Sequence, residues 1–257
     1  MPMKWWPRKQ RMRVGVYVDA FNLYYGARDH CGRNEPGWRW LDLVALVESK
    51  MNQRINWKNS HIEKIVYCTA ERNKDNDPTS RQDQFTYIQA LMQDSRVSVA
   101  MGQYKGKVVS GPVGRSRGSA STFKPYKQLD VSETFPFHHK IRKDVEGIDR
   151  LWVEVKTFEE KATDVNVAAH LLIDVLEKHI DAAIVITNDG DLQFALKHAR
   201  KHVPIGLINP GTKFTVHELL EPFEEGSKNW WANLTDKDYK NHQLPDQIGD
   251  ICKPNGW

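Results

Sequence analysis

Apolar positions along the chain fall into short continuous runs that alternate with stretches of helical spacing. The run Arg13-Val-Gly-Val-Tyr-Val18 is rich in β-branched residues and predicts a buried parallel strand that ends on Asp19-Ala-Phe-Asn22. Residues 40–52 place Leu41, Val44, Ala45 and Val47 at helical intervals, and Ile62–Cys68 reads as a second strand. A helix is expected over 79–93, with Phe85, Ile88 and Met92 on its inner face and Thr79 or Ser80 as cap. Val97–Tyr104 is the third strand. Residues 151–158 alternate apolar with polar and suit a strand that pairs with the third as a hairpin. A helix from about Asp164 to His179 follows. The run Ala182–Thr187 then ends on Asn188-Asp-Gly-Asp191, before a helix over 192–201, a strand over 203–208 and a short helix starting at 216–220.

Strands alternating with helices imply an α/β fold: a Rossmann-like parallel sheet with helices on both faces. In such sheets ligands bind beyond the carboxyl ends of the strands, at the point where the winding reverses. Asp19 and the Asp189/Asp191 pair both stand at such ends, so residues 170 apart in the chain are expected to meet in space. Between 105 and 149 periodicity is lost in a stretch rich in Gly, Ser, Pro and charge, which reads as a β-hairpin and loop insertion. The expected organisation is a basic segment over 1–12, one domain over 13–225 carrying the insertion at about 105–150, and a tail over 226–257.

A chain of 257 residues with 40% apolar and 27% charged content can bury one sizeable core. No apolar run nears the roughly 20 residues of a membrane-spanning helix, and the basic N-terminus lacks the apolar stretch of a secretory signal, so no membrane partner is expected and the cytoplasm is the default. Cys31, Cys68 and Cys252 lack any paired spacing, which argues against a disulfide framework or thiolate zinc. A net charge of +4 is modest, but its distribution is uneven. Lys4, Arg8, Lys9, Arg11 and Arg13 cluster without an acid, as do Lys105, Lys107, Arg115, Arg117, Lys124 and Lys127. Both runs fit phosphate contacts, although charge runs by themselves favour a solvated terminus and a solvated loop.

Asp19, Asp164, Asp189 and Asp191 are the candidate chemical groups. Each has a plain structural role open to it. Thr163 or Asp164 could cap a helix, Asp189 or Asp191 could cap the next one, and Asp19-Ala-Phe-Asn22 could be a turn. Four converging carboxylates, however, repel one another unless a cation compensates. Oxygen-only ligands suit Mg²⁺ or Mn²⁺, ions that activate water and neutralise charge in phosphodiester cleavage.

These motifs resemble the NYN family of nucleases within the PIN-like fold. They are Val-Asp19-Ala-Phe-Asn22-Leu, Lys161-Ala-Thr-Asp164-Val and Ile-Thr187-Asn188-Asp189-Gly-Asp191-Leu, and the resemblance covers about residues 13–209. It implies a metal-dependent endoribonuclease in which Asp19, Asp164, Asp189 and Asp191 hold Mg²⁺ or Mn²⁺. Asn22 would orient a water or the scissile phosphate. RNA is the implied partner, with DNA a second candidate, and a homodimer is compatible with the chain. Thr187-Asn188 departs from the family's usual small Ser-Gly pair. A non-catalytic RNA-binding or assembly module on the same fold is the main alternative. A haloacid dehalogenase-type phosphatase needs a second Asp two residues after the first, where this chain has Phe21. The ten histidines, including His138-His139, form no ligand set, and Trp5-Trp6 and Trp230-Trp231 suit packing or an interface better than base stacking.

Overall fold

The structure is a computed structural model that describes residues 11–71, 78–115, 124–125, 139–143, 147–220 and 228–257. The chain forms two units, one of residues 1–103 with 161–257 and a second of Tyr104–Glu160.

In the first unit six strands form a parallel sheet. They are β1 (Met12–Asp19), β2 (Ser60–Ala70), the start of β3 (Val97–Pro112), β8 (Ala182–Ile186), β9 (Ile205–Asn209) and β10 (Trp230–Asn233). Their spatial order is β10-β9-β8-β1-β2-β3, and every neighbouring pair is parallel. The central strand β1 is free of charged side chains from Val14 to Val18 because both its faces are covered there. Val14, Val16 and Val18 enter one core with α1 (Ala20–Cys31), α2 (Leu43–Asn52), α3 (Pro78–Leu91) and α7 (Asp236–Asn241). Tyr17 enters the other, with α4 (Thr163–Leu176), α5 (Gln193–Ala199) and α6 (His217–Leu220). The helices between β1 and β3 therefore lie on one face and those flanking β8 on the other. The winding reverses between β1 and β8, so the carboxyl ends of these two strands frame the crevice where such folds bind ligands.

The expected fold class is thus the observed one, a Rossmann-like α/β sheet with helices on both faces. Several details differ. A helix, α1, follows Asp19 directly, where a turn was one of the readings. In α3 it is Tyr87, Ala90 and Leu91 that are buried, with Ile88 packed beside them, whereas Phe85 and Met92 face outward. Aromatic partners decide that rotation: Tyr87 lies against Trp40, Tyr67 and Trp257. Residues 228–257 are not a tail. Strand β10 extends the sheet, and α7 starts with a capping box between Thr235 and Asp238. Tyr239 is fully buried and donates to the Pro210 carbonyl at 2.6 Å, while Asp238 pairs with the nearly buried Lys50 at 2.7 Å. The tryptophans Trp38, Trp40 and Trp57 are core residues. Trp230 packs edge-on to Trp57, and Trp231 is half-exposed. Among the described residues no helix is long and apolar enough to cross a membrane.

In the second unit the outer part of β3 continues to Pro112, beyond the expected end at Tyr104. It pairs with β7 (Asp149–Lys161), which pairs antiparallel with β6 (His139–Lys143). Lys107 lies opposite Glu159 and Val113 opposite Leu151, so β3 and β7 run antiparallel, the hairpin expected between the third strand and residues 151–158. A two-stranded ribbon joins β4 (Gly114–Arg115) to β5 (Lys124–Pro125). The stretch read as loop therefore contains strands. Backbone pairing holds them with little burial: most of β3 from Lys105 on is exposed, and no periodicity of apolar residues is needed.

Candidate metal centre

Asp19 ends β1 and starts α1, and its two carboxylate oxygens do different things. Oδ1 accepts from the Asn22 N–H at 3.0 Å, closing the first turn of the helix. Oδ2 accepts from the Thr187 hydroxyl at 3.2 Å, which ties β1 to the end of β8. Asp19 is only 3% exposed. The Thr187 hydroxyl oxygen in turn accepts from the Asp189 N–H at 3.1 Å. Asn22 braces the same junction, its Oδ1 accepting from the Asn188 N–H at 3.0 Å. Asn188 then holds the following loop, accepting from the Val216 N–H at 2.9 Å and donating to the Phe214 carbonyl at 3.2 Å.

Asp164 enters from α4. Neither it nor Thr163 caps that helix. The N-cap is Ala162, in the left-handed region at φ 73°, with no side-chain capping bond. Asp189 does cap, accepting from the Asp191 N–H at 3.0 Å, and this uses one of its oxygens. Oxygens of Asp19, Asp164 and Asp189 all lie within 4.8 Å of one another. Asp191 stands outside this trio on an exposed turn, yet its charge reaches Asp164. Of the residues singled out from the sequence, three acids thus converge, the fourth sits at the rim, and Asn22 spends its carbonyl oxygen on the β8 turn.

Electrostatics follow from that convergence. Burial, then the charges of Asp189 and Asp191, push the Asp164 carboxyl above its ordinary range. The neighbouring Cys68 thiol, buried near the end of β2, is pushed up to about 12 by burial and by the charges of Asp19 and Asp164. A trio of carboxylates whose oxygens lie this close together fits a hard divalent cation. Asp19, Asp164 and Asp189 would be its protein ligands. Thr187 and Asn188, which from the sequence are only a departure from a pattern, emerge as the braces that hold Asp19, Asn22 and Asp189 in place. Their signal was their position between a strand and an acidic turn.

The basic candidates belong to the second unit. Lys105 is exposed, and Lys107 is paired with Glu159 at 2.6 Å. Arg115 and Lys124 are register partners in the backbone pairing of β4 with β5, while Arg117 and Lys127 lie outside the described residues. Lys107 thus has an acidic partner although the local run contains none.

Beside Asp19, in the first unit, lies a cavity of about 230 Å³. Its aromatic wall comprises Phe21, Tyr24, Tyr25, Tyr67, Tyr87 and Trp257, and α3 contributes Asp83 and Gln84. On the opposite flank of α1, Gly26 meets the loop after β9. A Cβ there would fall 2.4 Å from the Pro210 carbonyl oxygen, and backbone cannot yield as a flexible side chain would. Gly26→Ala should lower stability by about 1–3 kcal/mol in urea unfolding. Unchanged unfolding would show that this close approach is not needed.

No protein-family model matches the chain. The chain is 26% identical over 215 residues to the 6-hydroxy-3-succinoylpyridine 3-monooxygenase HspA of Pseudomonas putida, an alignment that spans 77% of this chain and 60% of that protein. A solved structure of a protein of unknown function from Vibrio parahaemolyticus is similar with a TM-score of 0.45 and 13% identity, covering 90% of this chain and 98% of that one.

Proposed function

We propose that the protein is a metal-dependent nuclease of the NYN type that hydrolyses phosphodiester bonds in RNA. The observation that carries this reading is the convergence of Asp19, Asp164 and Asp189 at the carboxyl ends of β1 and β8. A bound Mg²⁺ or Mn²⁺ supplies Lewis-acid stabilisation of a phosphoryl oxygen and acidifies water. The chain's own residues do the rest. Thr187 and the Asn22 N–H orient the Asp19 carboxylate, and the Asp191 N–H orients Asp189. Asp191, exposed and close enough for its charge to reach Asp164, would accept the proton of the attacking water. The basic residues Lys105, Arg115, Arg117, Lys124 and Lys127 supply charge for phosphate contacts.

Purified protein incubated with a mixed RNA pool in Mg²⁺ and in Mn²⁺ should cut it, and chelator should stop the reaction. Asp19→Asn keeps an acceptor for the Asn22 N–H but loses the charge, so it should be folded and inactive. RNA left intact by the parent, or cut equally well by this variant, would overturn the assignment. A second reading, chemistry on a small heteroaromatic ring, comes from the name of the Pseudomonas putida relative and is favoured by the aromatic cavity next to Asp19.

A further inference from the structure

We propose that Phe214, in the loop after β9, stacks on an unpaired base of a strand bound at the acids, so that, on the nuclease reading above, the substrate is single-stranded. The Phe214 ring is 98% exposed, more than any other large apolar side chain among the described residues. Singly exposed apolar residues are ordinary on protein surfaces. This one is set apart by how firmly, and where, its backbone is fixed. The fully buried Asn209 donates to the Lys213 carbonyl at 2.9 Å and to the Thr215 hydroxyl at 3.2 Å, and accepts from the Gly211 N–H at 2.9 Å. Thr215 donates in turn to Asn233 at 3.1 Å. Asn188 closes the far side, holding the Phe214 carbonyl and the Val216 N–H.

The loop borders the acids on their own side of the sheet. Side chains along a strand alternate between faces. Tyr17, Val185 and Leu207 enter the core beneath α4, α5 and α6, so Asp19, Thr187 and Asn209, each two residues further on, belong to that same face. Asp164 comes from α4, which packs there, and Val216 packs against the same core. A Cβ at Gly190, between Asp189 and Asp191, would stand 3.6 Å from Val216. Phe214 is two residues before that contact, and its carbonyl is bonded to the residue preceding Asp189.

One open ring selects its ligand by how much it can cover. A free small molecule needs a site that buries most of its surface, and Phe214 offers a single face. A base in a strand needs only that face, because phosphate contacts hold the rest of the chain, and such stacking is tolerant of sequence. Lys213, exposed and without an ion pair among the described residues, supplies a cation beside the ring. In a duplex the faces of the bases are already stacked on one another, whereas a single strand can splay one onto an aromatic side chain. A protein partner fits less well. Thr212, Lys213 and Thr215 surround the ring in the chain with polar groups, and the core of a protein interface is depleted of charge.

The test reads binding apart from cleavage. All proteins carry Asp164→Asn and are kept in chelator, so that no strand is cut. A fluorescently labelled single-stranded RNA of mixed sequence, and the same strand with abasic sugars, are titrated against this background, Phe214→Leu and Phe214→Trp. All three should melt alike, because the ring lies outside the core. Phe214→Leu should bind the RNA roughly tenfold more weakly, Phe214→Trp should match the background, and all three should bind the abasic strand equally. Unchanged RNA binding by Phe214→Leu, or an equal loss on the abasic strand, would overturn the stacking role whether or not the parent cuts RNA. So would a background protein that binds no RNA. A self-associated species lost in Phe214→Leu, with RNA binding unchanged, would assign the ring to a protein contact instead. Ring-dependent, base-dependent binding by a protein whose parent never cuts RNA would support the ring site and overturn the nuclease reading.

Discussion

Asp164→Asn should reduce metal-dependent RNA cleavage by roughly a hundredfold or more, and in chelator it should melt at or above the temperature of the parent. Both halves follow from one arrangement. The carboxyl of Asp164 shares its space with Asp19 and Asp189 within 4.8 Å, half-buried, with no cap to satisfy. Removing its charge takes away a cation ligand, a larger loss than the tenfold to hundredfold typical of residues that merely orient ligands. The same change relieves repulsion from Asp189 and Asp191 when no cation is present. Added Mn²⁺ should raise the melting temperature of the parent, since an ion that binds only the folded chain stabilises it, and should do so much less for the variant. If Asp164→Asn melts well below the parent in chelator, the residue supports the fold and its assigned role falls.

The second large effect lies in the first unit away from the acids. Asp174, 3% exposed on α4, accepts from the Tyr17 hydroxyl at 2.8 Å, from Lys64 at 2.8 Å and from His179 at 3.0 Å. Asp174→Ala should cost about 2–4 kcal/mol, because it strands a fully buried phenol and leaves Lys64 without its partner. Part of the ammonium is solvated, which keeps the loss below that of a wholly buried pair. Burial raises the Asp174 carboxyl, but the hydrogen bonds from Lys64, Tyr17 and His179 outweigh it and hold the group below its usual range. A depressed carboxyl stabilises the fold above its unfolded value of about 3.9, and this contribution disappears as pH falls through the folded value. The gap between parent and Asp174→Ala in urea unfolding should therefore be full at pH 7 and narrow below about pH 4. A gap that stays constant down to pH 3 would mean that packing, rather than charge, holds this cluster.

The alternation of strands and helices, the sheet class and the placement of Asp19 and Asp189 at strand ends were determined by the sequence alone. Runs such as Val14–Val18 and Ala182–Ile186 are apolar without interruption because both faces of a central strand are covered, a local signature that needs no knowledge of the partners. Once the strands are placed, topology brings their carboxyl ends together.

What only the tertiary structure decided are choices between faces, partners and roles that the local pattern leaves equal. The inner face of α3 is Tyr87, Ala90 and Leu91 because Trp40, Tyr67 and Trp257 wait there, and Phe85 and Met92, equally apolar, stay exposed. The outer part of β3 is held by backbone pairing to β7, an interaction without a side-chain period. Lys107 finds Glu159 across that pairing, although 52 residues separate them and the local run contains no acid. Residues 230–241 read as a tail because their burial depends on β9, α1 and α2 already being in place. Among the acids the same logic holds. Any Asp near a strand end can cap a helix, and the structure shows Asp19 and Asp189 each capping with one oxygen while also lying within 4.8 Å of Asp164. Asp164 itself caps nothing. The difference between these roles lies in which acids the fold brings together, and Asp19 and Asp164 come from elements more than 140 residues apart in the chain.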